Sequence, residues 1–154
     1  MSTFWFIVIG IVGLTIMHFI FDYVNEKKDI RSAGGMQKIY AELVNYMLSD
    51  KTSVDLYNRI QDTYIESLGH VREDPKVKIL KETSTLMIIG ISGRCASITF
   101  TIYHAFTIVE VTYQLNSVLY GKHNIKWEFN NSEKQSDMIK KIDVGVKNLI
   151  NKSL

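Results

Sequence analysis

The chain holds one cysteine and one proline among 154 residues, and its four histidines stand far apart. Cys95 alone excludes an intramolecular disulfide and suits a reducing compartment. A structural zinc site needs close ligand pairs such as C-x-x-C or H-x-x-x-H, and none of His18, His70, His104 and His123 lies within five positions of another or of Cys95. No metal and no cofactor is therefore expected. The nearest approach to a phosphate loop, Ile89-Gly90-Ile91-Ser92-Gly93-Arg94, lacks the lysine and the following helix such a loop requires, and reads as a strand end and hairpin turn. Charge is also scarce in sum: 18 Lys and Arg against 16 Asp and Glu leave +2, which gives no bias toward nucleic acid. Lys140, Lys141 and Lys147 in the basic C-terminal part lack interleaved aromatics or a recognisable module, so nucleic acid is not an expected partner.

Charge is missing altogether from Phe4 to Phe21. These residues, extended by Tyr23 and Val24, give about the 20 apolar positions that a helix needs to cross a bilayer. Apolarity all round speaks against a surface helix. Met1, Ser2 and Thr3 supply no basic n-region and Asp22-Tyr23-Val24-Asn25 no small-residue cleavage site, so the segment reads as a retained anchor over 1–24. Lys27, Lys28, Arg31 and Lys38 follow it. By the positive-inside rule the N-terminus lies outside and the C-terminal domain faces the cytoplasm, with Lys27, Lys28 and Arg31 at the membrane surface. Within the span, Gly10, Gly13 and His18 are the candidates for helix packing, although His18 is close enough to Asp22 to sit at the headgroups instead.

Residues 25–35 read as a juxtamembrane linker, broken at Ser32-Ala33-Gly34-Gly35, and 36–154 as one α+β domain. Met36, Ile39, Tyr40, Leu43, Val44, Met47 and Leu48 form one helical stripe. Thr52 or Ser53 caps a second helix carrying Tyr57, Ile60, Tyr64 and Leu68, closed by Gly69, and the short loop between the two predicts an antiparallel hairpin. After Pro75, β-branched and aromatic residues predominate. Lys76–Lys81, Leu86–Ile91, Ser97–Tyr103, Val109–Leu115 and Ile125–Phe129 then predict an antiparallel meander of four or five strands. The apolar parity is even in Ile98, Phe100 and Ile102 and odd in Val109, Val111, Tyr113 and Leu115, which requires a turn or bulge near Tyr103–Ala105. A rival reading makes residues 96–109 part of a second membrane segment, but fourteen residues are short for a span and the alternating threonines favour a strand. Ser132 and Gln135 have capping-box spacing ahead of a last helix over about 133–151. The expected architecture is helices on one face of a sheet.

The reactive residue types form no catalytic signature. Cys95 and His104 could meet across a hairpin as nucleophile and base, Glu110 interrupts an apolar run, and Tyr103, Tyr113 and Trp127 could join them in lining an apolar pocket in the curved sheet. That makes a membrane-tethered ligand-binding or hydrolytic domain the alternative. The leading expectation is a non-enzymatic, membrane-anchored interaction subunit whose partners are the lipid bilayer and a protein or a second copy of itself.

Overall fold

A computed structural model describes residues 3–69 and 71–153; the readings above that involve Met1, Ser2 and His70 lie outside them. The first helix, α1, runs unbroken over Thr3–Ser32, roughly 45 Å at 1.5 Å per residue. Its apolar part has a mean hydropathy of 2.0 and is 0% buried. The juxtamembrane segment expected as a linker is thus helical as far as Ser32. Glu26, Lys27, Lys28 and Arg31 are sound helix formers, and Ile30 is 3% exposed because it is packed into the domain core. The chain breaks where Gly34 and Gly35 take φ of 98° and 85°. There Gly35 N–H donates to Ile30 C=O (2.8 Å) and Gly34 N–H to Arg31 C=O (3.1 Å), the paired bonds of a Schellman ending.

The helix expected from Met36 is divided at Tyr40 (φ −106°, ψ 35°) into α2, Met36–Ile39, and α3, Ala41–Leu48. The stripe survives the break: Met36, Tyr40, Leu43, Val44 and Met47 are all buried. Helix α4, Lys51–Leu68, is capped by Asp50, whose carboxylate accepts from Thr52 N–H at 3.0 Å and from the Ser53 hydroxyl at 2.5 Å. Asp50 and not Thr52 or Ser53 is the cap, because a carboxylate accepts both donors at once. Gly69 closes this helix with φ 70°. The principal contacts of α3 are with α5 (Gln135–Ser153) and the sheet, and those of α4 are with the sheet.

Five antiparallel strands follow in sequential order: β1 Lys78–Glu82, β2 Leu86–Ser92, β3 Ala96–Ala105, β4 Ile108–Ser117 and β5 Gly121–Asn130. Residues 96–105 are therefore strand, which removes the second membrane segment. The parity change is made by a two-residue turn, Phe106-Thr107, further on than expected and without a bulge. With Ala105 opposite Ile108, even positions of β3 face odd positions of β4, so Ile98, Phe100 and Ile102 stand beside Leu115, Tyr113 and Val111. These six and Met87, Ile89, Ile91 and Val109 are at most 3% exposed beneath the helices. The opposite face is partly exposed and carries Thr99, Thr101, Tyr103, Glu110, Thr112 and Lys126. Much of the stretch expected as a connection, 116–124, belongs to β4 and β5, and only Val118–Tyr120 links them.

Helix α5 buries Met138, Ile142 and Val146 against this core. Gln135 does not close a capping box. Its side-chain amide donates to Ile39 C=O (2.8 Å) and its carbonyl accepts from Leu43 N–H (3.1 Å), filling backbone groups exposed by the break at Tyr40. Ser132 turns instead to Asn130, whose Oδ1 accepts from its N–H at 3.0 Å.

Candidate functional site

The end of β3 reaches α1 where its apolar stretch ends. His104, the last inward-facing position of β3, is bonded on both ring nitrogens: Nε2 lies 3.0 Å from Glu26 Oε1 on α1, and Nδ1 meets the Tyr40 hydroxyl at the break between α2 and α3. The side chains of His104 and Glu26 are 11% and 16% exposed. One arrangement satisfies all three groups: Tyr40 donates to Nδ1 and Nε2–H donates to the carboxylate. Burial, with the Glu26 charge adding to it, pushes the Tyr40 hydroxyl well above the ordinary tyrosine range, so it stays a donor. This chain ties α1, α2–α3 and β3 together at one point.

Apolar contacts flank it on both sides. Ile30, one turn beyond Glu26, enters the core. On the other side Phe19 meets Phe106 of the β3–β4 turn edge-on, with ring centroids 5.4 Å apart. Between these contacts lies an open cleft of about 570 Å³, lined among others by Asp22, Asn25, Glu26, Asp29, His104 and Asn131. The cleft gathers three carboxylates, Asp22, Glu26 and Asp29, at the level where the uncharged part of α1 ends, against an apolar wall that includes Ile39 and Phe106. Of the basic residues that follow the apolar stretch of α1, Lys27 lies over the Tyr23 ring at 4.2 Å, while Lys28 and Arg31 are exposed.

The six pocket candidates do not converge. Cys95 is buried at the β2–β3 turn, nine strand positions from His104, or roughly 30 Å at 3.3 Å per residue, so the two cannot act as nucleophile and base. Tyr113 is 0% exposed in the core, its hydroxyl 3.4 Å from that of Ser53, and burial raises its pKa to about 12. Trp127 is half-buried against Gly145 of α5. Tyr103 and Glu110 are on the opposite, open face. There Glu110 accepts from Lys126 at 2.7 Å, a bond that, with a second donated to Glu128, holds the ammonium above its ordinary pKa. In the apolar part of α1, no other part of the fold comes within 4 Å of a Cβ placed at Gly10 or Gly13, and His18 lies 3.7 Å from Asp22.

A second polar cluster lies at the far end of the sheet. Tyr57 donates to Glu73 Oε2 (2.7 Å), which also accepts from Arg94 N–H (3.2 Å), and Gln61 exchanges two bonds with the Glu73 backbone. The hydroxyl and the amide lower the Glu73 pKa. Among the described residues no group of three or more His, Cys, Asp or Glu is placed to hold a metal ion.

Sequence reasoning missed Glu26, Tyr40 and Phe106. Phe19, Glu26 and Ile30 are spaced by seven and four, one face of a continuous helix, and that spacing was the available signal for docking. Comparison with protein-family models, curated proteins and solved structures finds no match to this chain.

Proposed function

We propose that this chain is a single-pass membrane protein whose α+β domain is a non-enzymatic interaction module, held on the cytoplasmic side in a fixed attitude to the bilayer. The observation that carries the reading is the continuity of α1: a fully exposed apolar helix whose last turns are built into the domain through Ile30 and the Glu26–His104–Tyr40 chain. A flexible tether only raises local concentration. A rigid stalk also fixes which surface faces the membrane and which faces away.

The membrane-distal surface is the side offered to a protein partner. At the end of the sheet opposite Phe106, the β4–β5 turn exposes Val118 (67%), Leu119 (39%) and Tyr120 (37%), three consecutive apolar side chains at a strand length of roughly 30 Å from the anchor junction. Support for catalysis is thin, because the hollow of the sheet is filled by Phe100, Tyr113 and Ile102. The test is purification of the full-length chain from its native membrane in mild detergent, with native mass and identification of stoichiometric subunits. A defined assembly that Leu119→Asp dissolves, with the fold kept, supports the reading. A lone monomer carrying a bound small molecule overturns it.

A further inference from the structure

We infer that the tip of the β3–β4 hairpin, Phe106-Thr107-Ile108, is a second membrane contact, seated in the lipid headgroup and acyl boundary beside the anchor. The inference rests on the reading of α1 as a span and deepens it. The uncharged stretch 4–21 has 18 residues, about 27 Å of helix against a hydrocarbon core of about 30 Å. It has no length to spare: without its last three residues, Phe19 to Phe21, only about 22 Å would remain. Phe19 must therefore lie inside the hydrocarbon or at its edge, and the Phe106 ring, 5.4 Å from it by centroids, lies within that distance of the same depth.

The chemistry of the tip suits that position. Phe106 is 40% and Ile108 45% exposed, and aromatic and branched apolar side chains gain from leaving water at an interface. Phe106 is also the one non-glycine residue with positive φ among the described residues, at 51°. Two-residue hairpin turns ordinarily place Gly, Asn or Asp in such a conformation, and a bulky residue there is strained. An aromatic under that strain is explained by what it touches. Asn131 holds the turn in place by donating from its side chain to Phe106 C=O at 3.0 Å and from its backbone to Thr107 C=O at 2.8 Å.

The test uses the full chain in vesicles of phosphatidylcholine and phosphatidylglycerol. Single cysteines carrying an environment-sensitive fluorophore are placed at Thr107→Cys in the tip, Val12→Cys in the anchor and Asn116→Cys at the far end of the sheet. Native Cys95 is buried, and wild type treated alike reads any label on it. Ile108→Cys repeats the tip readout in a second variant. The expected result is deep acyl-chain nitroxide quenching at position 12, a blue shift with headgroup and shallow-chain quenching at 107 and 108, and water-like emission at 116. Water-like emission at 107 and 108 with deep quenching at 12 overturns this inference and leaves the anchor standing. Unquenched emission at position 12 overturns both.

Discussion

His104 Nε2, at the last inward position of β3, stands 3.0 Å from Glu26 Oε1 on α1, and this pair makes the α+β domain and the long apolar helix into one body. Both side chains are largely buried, so removing one leaves the other without its partner in a poor solvent for charge. His104→Ala is expected to cost about 2–3 kcal/mol, lowering the melting temperature by several degrees and raising hydrogen exchange over residues 24–40 above that of the sheet. Tyr40→Phe keeps the ring and loses one bond, about 1 kcal/mol. A double-mutant cycle of Glu26→Gln with Tyr40→Phe should be non-additive, because both act through one imidazole. Strict additivity would mean that the three residues do not work as a chain.

Gly90 is a glycine with no room for a side chain. It lies in mid-strand on β2 opposite Thr99, where a Cβ would run into the backbone of Ile98 and Thr99 on β3. Backbone cannot step aside as a flexible side chain can. Gly90→Ala is therefore expected to cost about 3 kcal/mol, while Gly121→Ala, with open space around it, costs only the strain of a φ of 74°, about 1 kcal/mol. Thermal melts of the two variants give the comparison, and equal losses would contradict the close approach at Gly90.

The fold was largely legible because its signals are periodic. Stripes at three and four and alternation at two locate α4, α5 and the middle strands, and the parity change between Ile102 and Val109 demands a turn between them. What escaped depends on partners distant in sequence. Tyr40 interrupts a good helical stripe at the point where its hydroxyl meets His104, and Gln135 leaves its capping box for the backbone of Ile39 and Leu43. The candidate site fared worse for the same reason. Glu26 looks like any charge following an apolar helix, and Phe106 like any residue between two strands; only the tertiary register brings His104 to the one and Phe19 to the other.

Alkaline pH should unfold the domain through its tyrosines. Burial raises the Tyr113 hydroxyl from 10.0 to about 12, and Tyr40, Tyr46 and Tyr57 are pushed higher still. A folded pKa above the unfolded one gives stability that is complete below about pH 10 and lost as pH rises toward 12. Tyrosinate absorbance should therefore lag behind that of free tyrosine and then appear together with the loss of circular dichroism. Smooth titration without unfolding would contradict the burial of these hydroxyls.

Acid acts through the carboxyl of the Tyr57–Glu73 cluster and with the opposite sign. The Tyr57 hydroxyl and the Arg94 amide lower Glu73 from 4.5, so its contribution is present above that value and lost as pH falls through the folded pKa. Glu73 is partly exposed, which keeps the effect below about 1 kcal/mol. Tyr57→Phe should lower stability at pH 7 and shrink the difference in melting temperature between pH 7 and pH 3. A variant as acid-sensitive as wild type would place the lowered carboxyl elsewhere.

Orientation can be tested by charge alone. Lys27, Lys28 and Arg31 follow the apolar stretch proposed as a span, and each basic residue held near an anionic leaflet is worth about 1 kcal/mol. Acidic residues count for little in setting topology, so Asp22, Glu26 and Asp29 do not offset them. Replacing all three by Gln, with two lysines introduced at Ser2 and Thr3, moves the positive bias to the other side of the helix without altering the Glu26–His104 pair. The expected outcome is inversion, read by protease protection of the C-terminal domain in sealed vesicles: accessible from the cytoplasmic side in wild type and shielded in the variant. Retained orientation would show that docking of α1 on a domain already folded in the cytoplasm, and not the flanking charge, decides which way the chain enters the membrane.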